Sequence, residues 1–213
     1  MDERTLGLIL RTRPLTETSL IVHWLTRDAG RISTVAKGAR RPKSPFAGKL
    51  DLFYLADLTV QRSRCSDLHT LREVSVQDFH PKLRERFGYL QQCAYFTRLI
   101  EQSTEAETPI PGVFQLVREA IDALQLREPA ALNVFAFEMK LLTELGLGPN
   151  IADSRISPGA VEILAKCASA PWSTLHWLKL SLPQTHEIGR FLEHCIEAHS
   201  GKVPEGRRAA LAC

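Results

Sequence analysis

GRISTVAKGARRPKSPFAGK, residues Gly30 to Lys49, begins as a strand and ends as a basic loop. Arg31–Ala36 is rich in β-branched side chains, which fit a pleated, half-buried surface. From Lys37 onward Pro42 and Pro45 remove backbone donors and Gly38 and Gly48 free the chain at φ, so no regular helix closes. Six cations fall here, Arg31, Lys37, Arg40, Arg41, Lys43 and Lys49, with no acid between Asp28 and Asp51. Clustered Lys/Arg displace the counterions condensed on a polyanion, a job with no use for a small-substrate pocket. A charge run of this kind also serves simply as a solvated loop.

On either side the periodicity is that of strands. Leu6–Leu10, Ser19–Leu25, Arg31–Ala36, Tyr54–Gln61 and Leu68–Val76 are β-rich runs separated by turn-prone segments, Asp28-Ala29-Gly30 among them. Five short strands, with the longest irregular connection after the third, fit an OB-type barrel. An SH3-like barrel or a small sandwich gives a similar strand count. Trp24 sits inside an apolar strand and is expected in the core. Phe46 lies in the basic loop, where it either faces a base or tacks the loop to the barrel.

Beyond residue 80 the period becomes helical. Lys82–Ser103 sets Leu83, Phe87, Leu90, Ala94, Thr97 and Ile100 along one side. Pro111–Leu126 follows the same pattern, and Pro129–Gly146 is apolar nearly all round, as befits the centre of a bundle. Gly146-Leu147-Gly148 ends that helix. Ser157-Pro158 reads as an N-cap and first helical residue. Trp172–Leu182 is ambiguous, and Gln184–His199 is amphipathic. The predicted fold class is α+β: an N-terminal five-stranded OB-type barrel, residues 1–80, followed by an all-α helical domain, residues 81–213.

Net charge is only +3 over 213 residues. Residues 1–80 carry 13 Lys/Arg against 9 Asp/Glu, while residues 81–213 carry 14 against 15. The excess of positive charge is therefore N-terminal, which points to a nucleic-acid-facing half and a half with another task. The five cysteines are dispersed and form no C-x-x-C pair, as expected of free thiols in a reducing compartment. No apolar run approaches a membrane span, and the start of the chain lacks a leader pattern, so a cytoplasmic protein is expected. Walker A, nucleophile-elbow, zincin and dinucleotide-binding patterns are absent, so the chain reads as non-enzymatic. Cys195 and His199 stand at i and i+4, but Cys195 belongs to the apolar stripe and is read as a packed thiol. No metal is assigned.

RPLTETSLIV (13–22), GRISTVAKGARRPKSPFAGKLDLF (30–53) and LHTLREV (68–74) resemble the N-terminal domain of the bacterial RecO family. FEMKLLTELGLGP (137–149) is similar to that family's helix-ending motif, and the tail from Gly189 is similar in kind. The resemblance implies an OB domain and a helical domain that bind single- and double-stranded DNA and anneal complementary strands. It further implies action with RecR in loading RecA onto DNA coated with single-strand-binding protein (SSB), and a nucleoid-associated location. It also implies that the helical domain engages SSB's acidic, apolar C-terminal tail. Many relatives follow the L-G-L-x-P motif with a cysteine-bearing insertion, a zinc site in some. Here seven residues, Ile151–Ser157, separate Asn150 from Pro158 and none is cysteine, so a compact variant without a zinc cofactor is expected.

DNA contacts are expected from Arg31, Lys37, Arg40, Arg41, Lys43 and Lys49, with Arg11, Arg13, Arg62 and Arg64 on neighbouring strands and turns and Phe46 as the base-facing ring. The SSB tail is expected beside Lys140 and Arg118, with Arg98 peripheral. An alternative from another class is an interaction adaptor whose OB domain binds RecR, DNA contact being incidental.

Overall fold

The computed structural model describes residues 2–151, 154–175 and 177–213. They group into two compact units, the first comprising the chain up to Pro81 together with Thr104–Gln115, the second Lys82–Ser103 with Leu116–Cys213. The stretch 104–115, which periodicity placed with the helices, thus belongs with the strands.

In the first unit five strands, β1 (Asp2–Pro14), β2 (Leu20–Thr26), β3 (Gly30–Ala36), β4 (Leu55–Gln61) and β5 (Leu68–Asp78), close into a barrel in the order β1-β2-β3-β5-β4. All neighbours are antiparallel except β3 and β5. Burial alternates strictly along β3 and β4, the period-2 signature of a wall with one wet face. β1 is long because it pairs β4 through its first half and β2 through its second, with a register shift between Ile9 and Arg11 that bends it around the closure. Inside lie Ile9, Val22, Trp24, Ile32, Leu58, Val60 and Leu71. Trp24 is in the core as expected, and its indole N–H donates to Thr34 Oγ1 at 2.9 Å, which removes the cost of burying that donor.

The parallel pairing of β3 with β5 covers only Ser33–Val35, so the start of β3 pairs with β2 on one edge and has no strand on the other. Residues 104–108 fill that place. Glu107 N donates to Arg31 O at 2.8 Å, and Arg31 forms an isolated parallel bridge with Ala106. Gly30 makes this approach possible: a Cβ there would stand 2.0 Å from Thr108 O, and its φ is +66°.

The second unit is helical: α1 (Phe87–Ser103), most of α2 (Pro111–Leu126), α3 (Ala131–Glu144), α4 (Pro158–Ser169), α5 (Trp172–Leu175), α6 (Leu182–Ser200) and α7 (Arg207–Leu211). α3 is central, with Val134, Phe135, Ala136 and Phe137 all fully buried. The rings of Phe96 and Phe137 stack at 3.9 Å. Gly146 (φ +73°) ends α3 as read, and Leu147 N donates back to Leu142 O at 2.7 Å. Ser157 caps α4 through Ala160 N.

Two helix boundaries differ from the sequence reading. Pro81–Arg84 is a separate 3₁₀ turn and α1 begins at Phe87, which is 74% exposed; of the predicted stripe Leu83, Thr97 and Ile100 are buried and Leu90 and Ala94 half-buried, and Tyr89, Cys93 and Phe96 widen the buried face. α6 begins at Leu182 because Ser181 and Gln184 form a capping box, each side chain satisfying the other's backbone N–H. In the short link from Asn150 to Pro158, Ala152 and Asp153 lie outside the described residues. No helix of the described residues is long and apolar enough to cross a membrane.

Candidate nucleic-acid interface

After β3 the basic loop runs as successive tight turns. Arg41 N donates to Gly38 O, Ser44 N to Arg41 O, Ala47 N to Ser44 O and Lys49 N to Phe46 O, at 3.0–3.1 Å. Gly38 (φ +69°) and Gly48 (φ +70°) take the left-handed conformations these reversals require. Two anchors hold the loop. Arg40 donates through its backbone N to Thr18 O at 3.0 Å and through Nη1 to Thr16 O at 3.1 Å, which ties it to the β1–β2 turn. Phe46 is the other: its ring is only 6% exposed and packs in the barrel core. The base-facing role expected for Phe46 is therefore corrected, since an apolar ring between Pro45 and Ala47 gains more by entering the core than by waiting in solvent.

With the backbone pinned, the side chains of Lys37, Arg40, Arg41 and Lys43 are exposed and that of Lys49 half-buried. Among the described residues none of the five forms an ion pair, so their charge is free for a ligand. The row Pro14–Leu20–Ala36 across β1, β2 and β3 sets the flanking residues Arg13 and Lys37 at one end of the barrel.

From that end an outward-facing row runs across the wall, with Arg11 opposite His23 and His23 opposite Ser33. Arg13 Nη2 lies 3.0 Å from His23 Nε2, and Ser33 Oγ lies 2.9 Å from Nδ1. A guanidinium has only donors, so Nε2 accepts and Nδ1–H donates to Ser33. Burial, then Arg13, Arg11 and Arg31, hold the imidazole pKa below its usual value, so the ring is neutral here. His23 escaped the sequence reading; its outward register opposite Arg11 is the signal that finds it.

Two expected contacts are spent elsewhere. Arg31 donates from Nε to Thr104 Oγ1 at 2.8 Å and from Nη2 to Thr104 O at 2.5 Å, so it fastens the 104–108 strap. Arg62 pairs with Glu3 at 2.9 Å and with Glu107 at 3.2 Å. Arg31 is held by neutral acceptors and Arg62 by two carboxylates, a correction to the expected contacts that sequence spacing has no means to supply because the partners come from remote segments. Arg64 is exposed in the β4–β5 turn.

In the helical unit Lys140 Nζ donates to Ala170 O at 2.7 Å and to Ala168 O at 3.4 Å, so it caps α4 instead of flanking a groove. Burial lowers its pKa. Arg98 Nη1 is bound to Glu205 O at 3.0 Å, and Arg118 is half-exposed. None of the three lines the apolar cleft of about 500 Å³ formed by Leu132, Leu178 and Leu180, which has Arg127 at its rim. Trp177 and Leu182, next to this cleft in sequence, are 77% and 78% exposed.

Residues 1–79 match the family described as recombination protein O N terminal, and residues 85–154 and 151–209 match recombination protein O C terminal. The chain is 33% identical over 155 residues to the DNA repair protein RecO of Salinibacter ruber, covering 72% of this chain and 59% of that protein. It is 38% identical over 141 residues to that of an Azoarcus species (66% and 56%), and 30% identical over 145 residues to that of Bacillus subtilis (68% and 56%). In these alignments the chain spans somewhat more than half the length of each relative.

Proposed function

Because the chain belongs to the RecO family of DNA repair proteins, we propose that it is a non-enzymatic mediator that binds single- and double-stranded DNA and anneals complementary strands. In this reading it works with RecR to help RecA load onto SSB-coated DNA. The observation that carries it is the pinned loop, which holds Lys37, Arg40, Arg41 and Lys43 exposed and without carboxylate partners. Two polyanionic strands repel one another, and cations supplied to both lower the barrier to pairing.

With four loop cations and Arg13 in contact, log K for a single strand falls against log salt with a slope of about −3.5. Substituting Lys37, Arg40, Arg41 and Lys43 together by alanine brings the slope to about −0.7 and abolishes annealing. Full annealing by that variant would remove the loop from the mechanism. For the acidic, apolar SSB tail we assign the cleft beside Leu178 and Leu180, because apolar side chains and the Arg127 guanidinium meet there and the one carboxylate of the lining, Glu128, is already paired with Arg86. Leu178→Ala/Leu180→Ala weakens tail-peptide binding while leaving naked-DNA binding unchanged; an unaltered peptide affinity sinks that assignment.

A further inference from the structure

The barrel wall carries a second cation cluster, on the other side of β1. Register sets Arg4 opposite Thr59 and Thr59 opposite Glu73, with Asp57 and Ser75 opposite one another two residues along. Between Thr59 and Val60 the register slips, so Arg72 has no partner across the ladder, and Arg72 and Glu73 are both exposed where alternation would hide one. Bulges re-aim side chains in this way. The result is a cleft of about 400 Å³ lined by Arg4, Lys49, Arg72, Asp57 and Glu73, with exposed Pro45 supplying apolar surface. Lys49 and Pro45 come from the basic loop, which therefore serves both this sector and the one beside β2.

The lining has mixed charge, and the mixture selects among ligands. A bare phosphate chain would meet two carboxylates. An apolar peptide would leave three cations desolvated. A nucleotide uses every part: cations for its phosphate, apolar surface for its ring, and a carboxylate acceptor for an amino hydrogen on the base edge. Arg72 Nη2 already donates to Gln61 at 2.5 Å and Asp57 accepts from Gln77 at 2.5 Å, so both side chains are oriented while keeping capacity for further bonds.

Building on the reading of this chain as a DNA-binding protein, we propose that the cleft holds one unpaired nucleotide of a bound strand. Its phosphate lies on Arg4, Arg72 and Lys49, and Asp57 or Glu73 accepts from the base amino group. Cytosine has such a group and thymine has none.

The test is fluorescence anisotropy of the full chain with labelled oligo-dC and oligo-dT 15-mers at neutral pH. The wild type prefers oligo-dC by about fivefold. Asp57→Ala/Glu73→Ala tightens both complexes, having lost negative charge, but brings the ratio to about one. Glu73→Ala alone, at an exposed position, lowers the ratio if the double variant does not fold. Arg4→Ala/Arg72→Ala weakens both complexes and flattens the single-strand salt slope by about 0.7, the share of the one phosphate they hold. A wild type without preference, a ratio that survives loss of both acids, or an unchanged slope overturns the cleft while leaving the basic loop standing. Failure of the wild type to bind either oligonucleotide overturns the DNA-binding reading and this proposal with it.

Discussion

Arg207 grips Glu138 in the interior of the helical unit, Nε to Oε1 at 2.7 Å and Nη2 to Oε2 at 3.0 Å. Glu138 is 0% exposed, and Tyr95 donates its hydroxyl to Oε1 at 2.5 Å. Arg207 Nη2 also donates to Gly189 O at 3.0 Å, so one guanidinium joins α7 to α3 and α6. Burial alone would lower the pKa of Arg207, but the Glu138 carboxylate more than offsets it and keeps the guanidinium charged. Burial, then Glu138, push the pKa of the Tyr95 hydroxyl up as well, so it remains a donor.

Removing one partner leaves the other charge buried and uncompensated. Arg207→Ala is expected to destabilise the helical unit by about 3–5 kcal/mol. Arg207→Met with Glu138→Leu, which removes both charges, recovers most of that loss. Urea denaturation followed by far-UV dichroism measures each; equal losses for the single and the paired substitution would show that packing of α7, and not the ion pair, sets the stability.

Phe46 yields a prediction that separates packing from stacking. Phe46→Ala empties a core position and costs about 3–5 kcal/mol, with the loop turns loosening around it. Phe46→Leu keeps most of the volume, so oligonucleotide affinity and annealing stay near wild type. Loss of binding by the leucine variant at unchanged thermal stability would restore the ring to the DNA interface.

How much of this was legible beforehand depends on how local the cause is. The five strands, the helical half, the core position of Trp24, the stop at Gly146 and the cap at Ser157 all follow from periodicity and turn chemistry within a few residues. The exposed cations of the loop were equally readable, because prolines and glycines keep them out of regular structure. The fates of Arg31, Arg62 and Lys140 were not, since Thr104, Glu107 and the carbonyls ending α4 arrive from distant segments. Glu73 joins Arg72 on the outer face only because of a bulge, and Glu138 and Arg207 meet across 69 residues of sequence, beyond the reach of any local pattern.

Gly30 makes the strap testable. A methyl group there adds the left-handed penalty of about 1–2 kcal/mol to a clash with Thr108 O at 2.0 Å. Gly30→Ala therefore lowers the thermal midpoint and speeds hydrogen exchange at Glu107 N, whose bond to Arg31 O closes the gap beside β3. Protection at Glu107 unchanged by the substitution would mean that the strap is held from elsewhere.

His23 should report a bound strand through its proton. In the free protein, burial, then Arg13, Arg11 and Arg31, hold its pKa below 6.5. Folding therefore excludes a proton that the unfolded chain binds. The associated stability is fully present above pH 6.5 and declines as pH falls through the lower folded value. A phosphate laid along Arg11 and Arg13 offsets those charges and raises the imidazole pKa, so binding takes up a proton in that window. Affinity for a single-stranded oligonucleotide then increases as pH drops from 7.5 to 5.5, and His23→Gln removes that increase. Imidazole resonances followed by NMR, with and without oligonucleotide, give the direct readout. A His23 titration that DNA leaves in place would take the β1–β2–β3 face out of the binding path and confine contact to the loop.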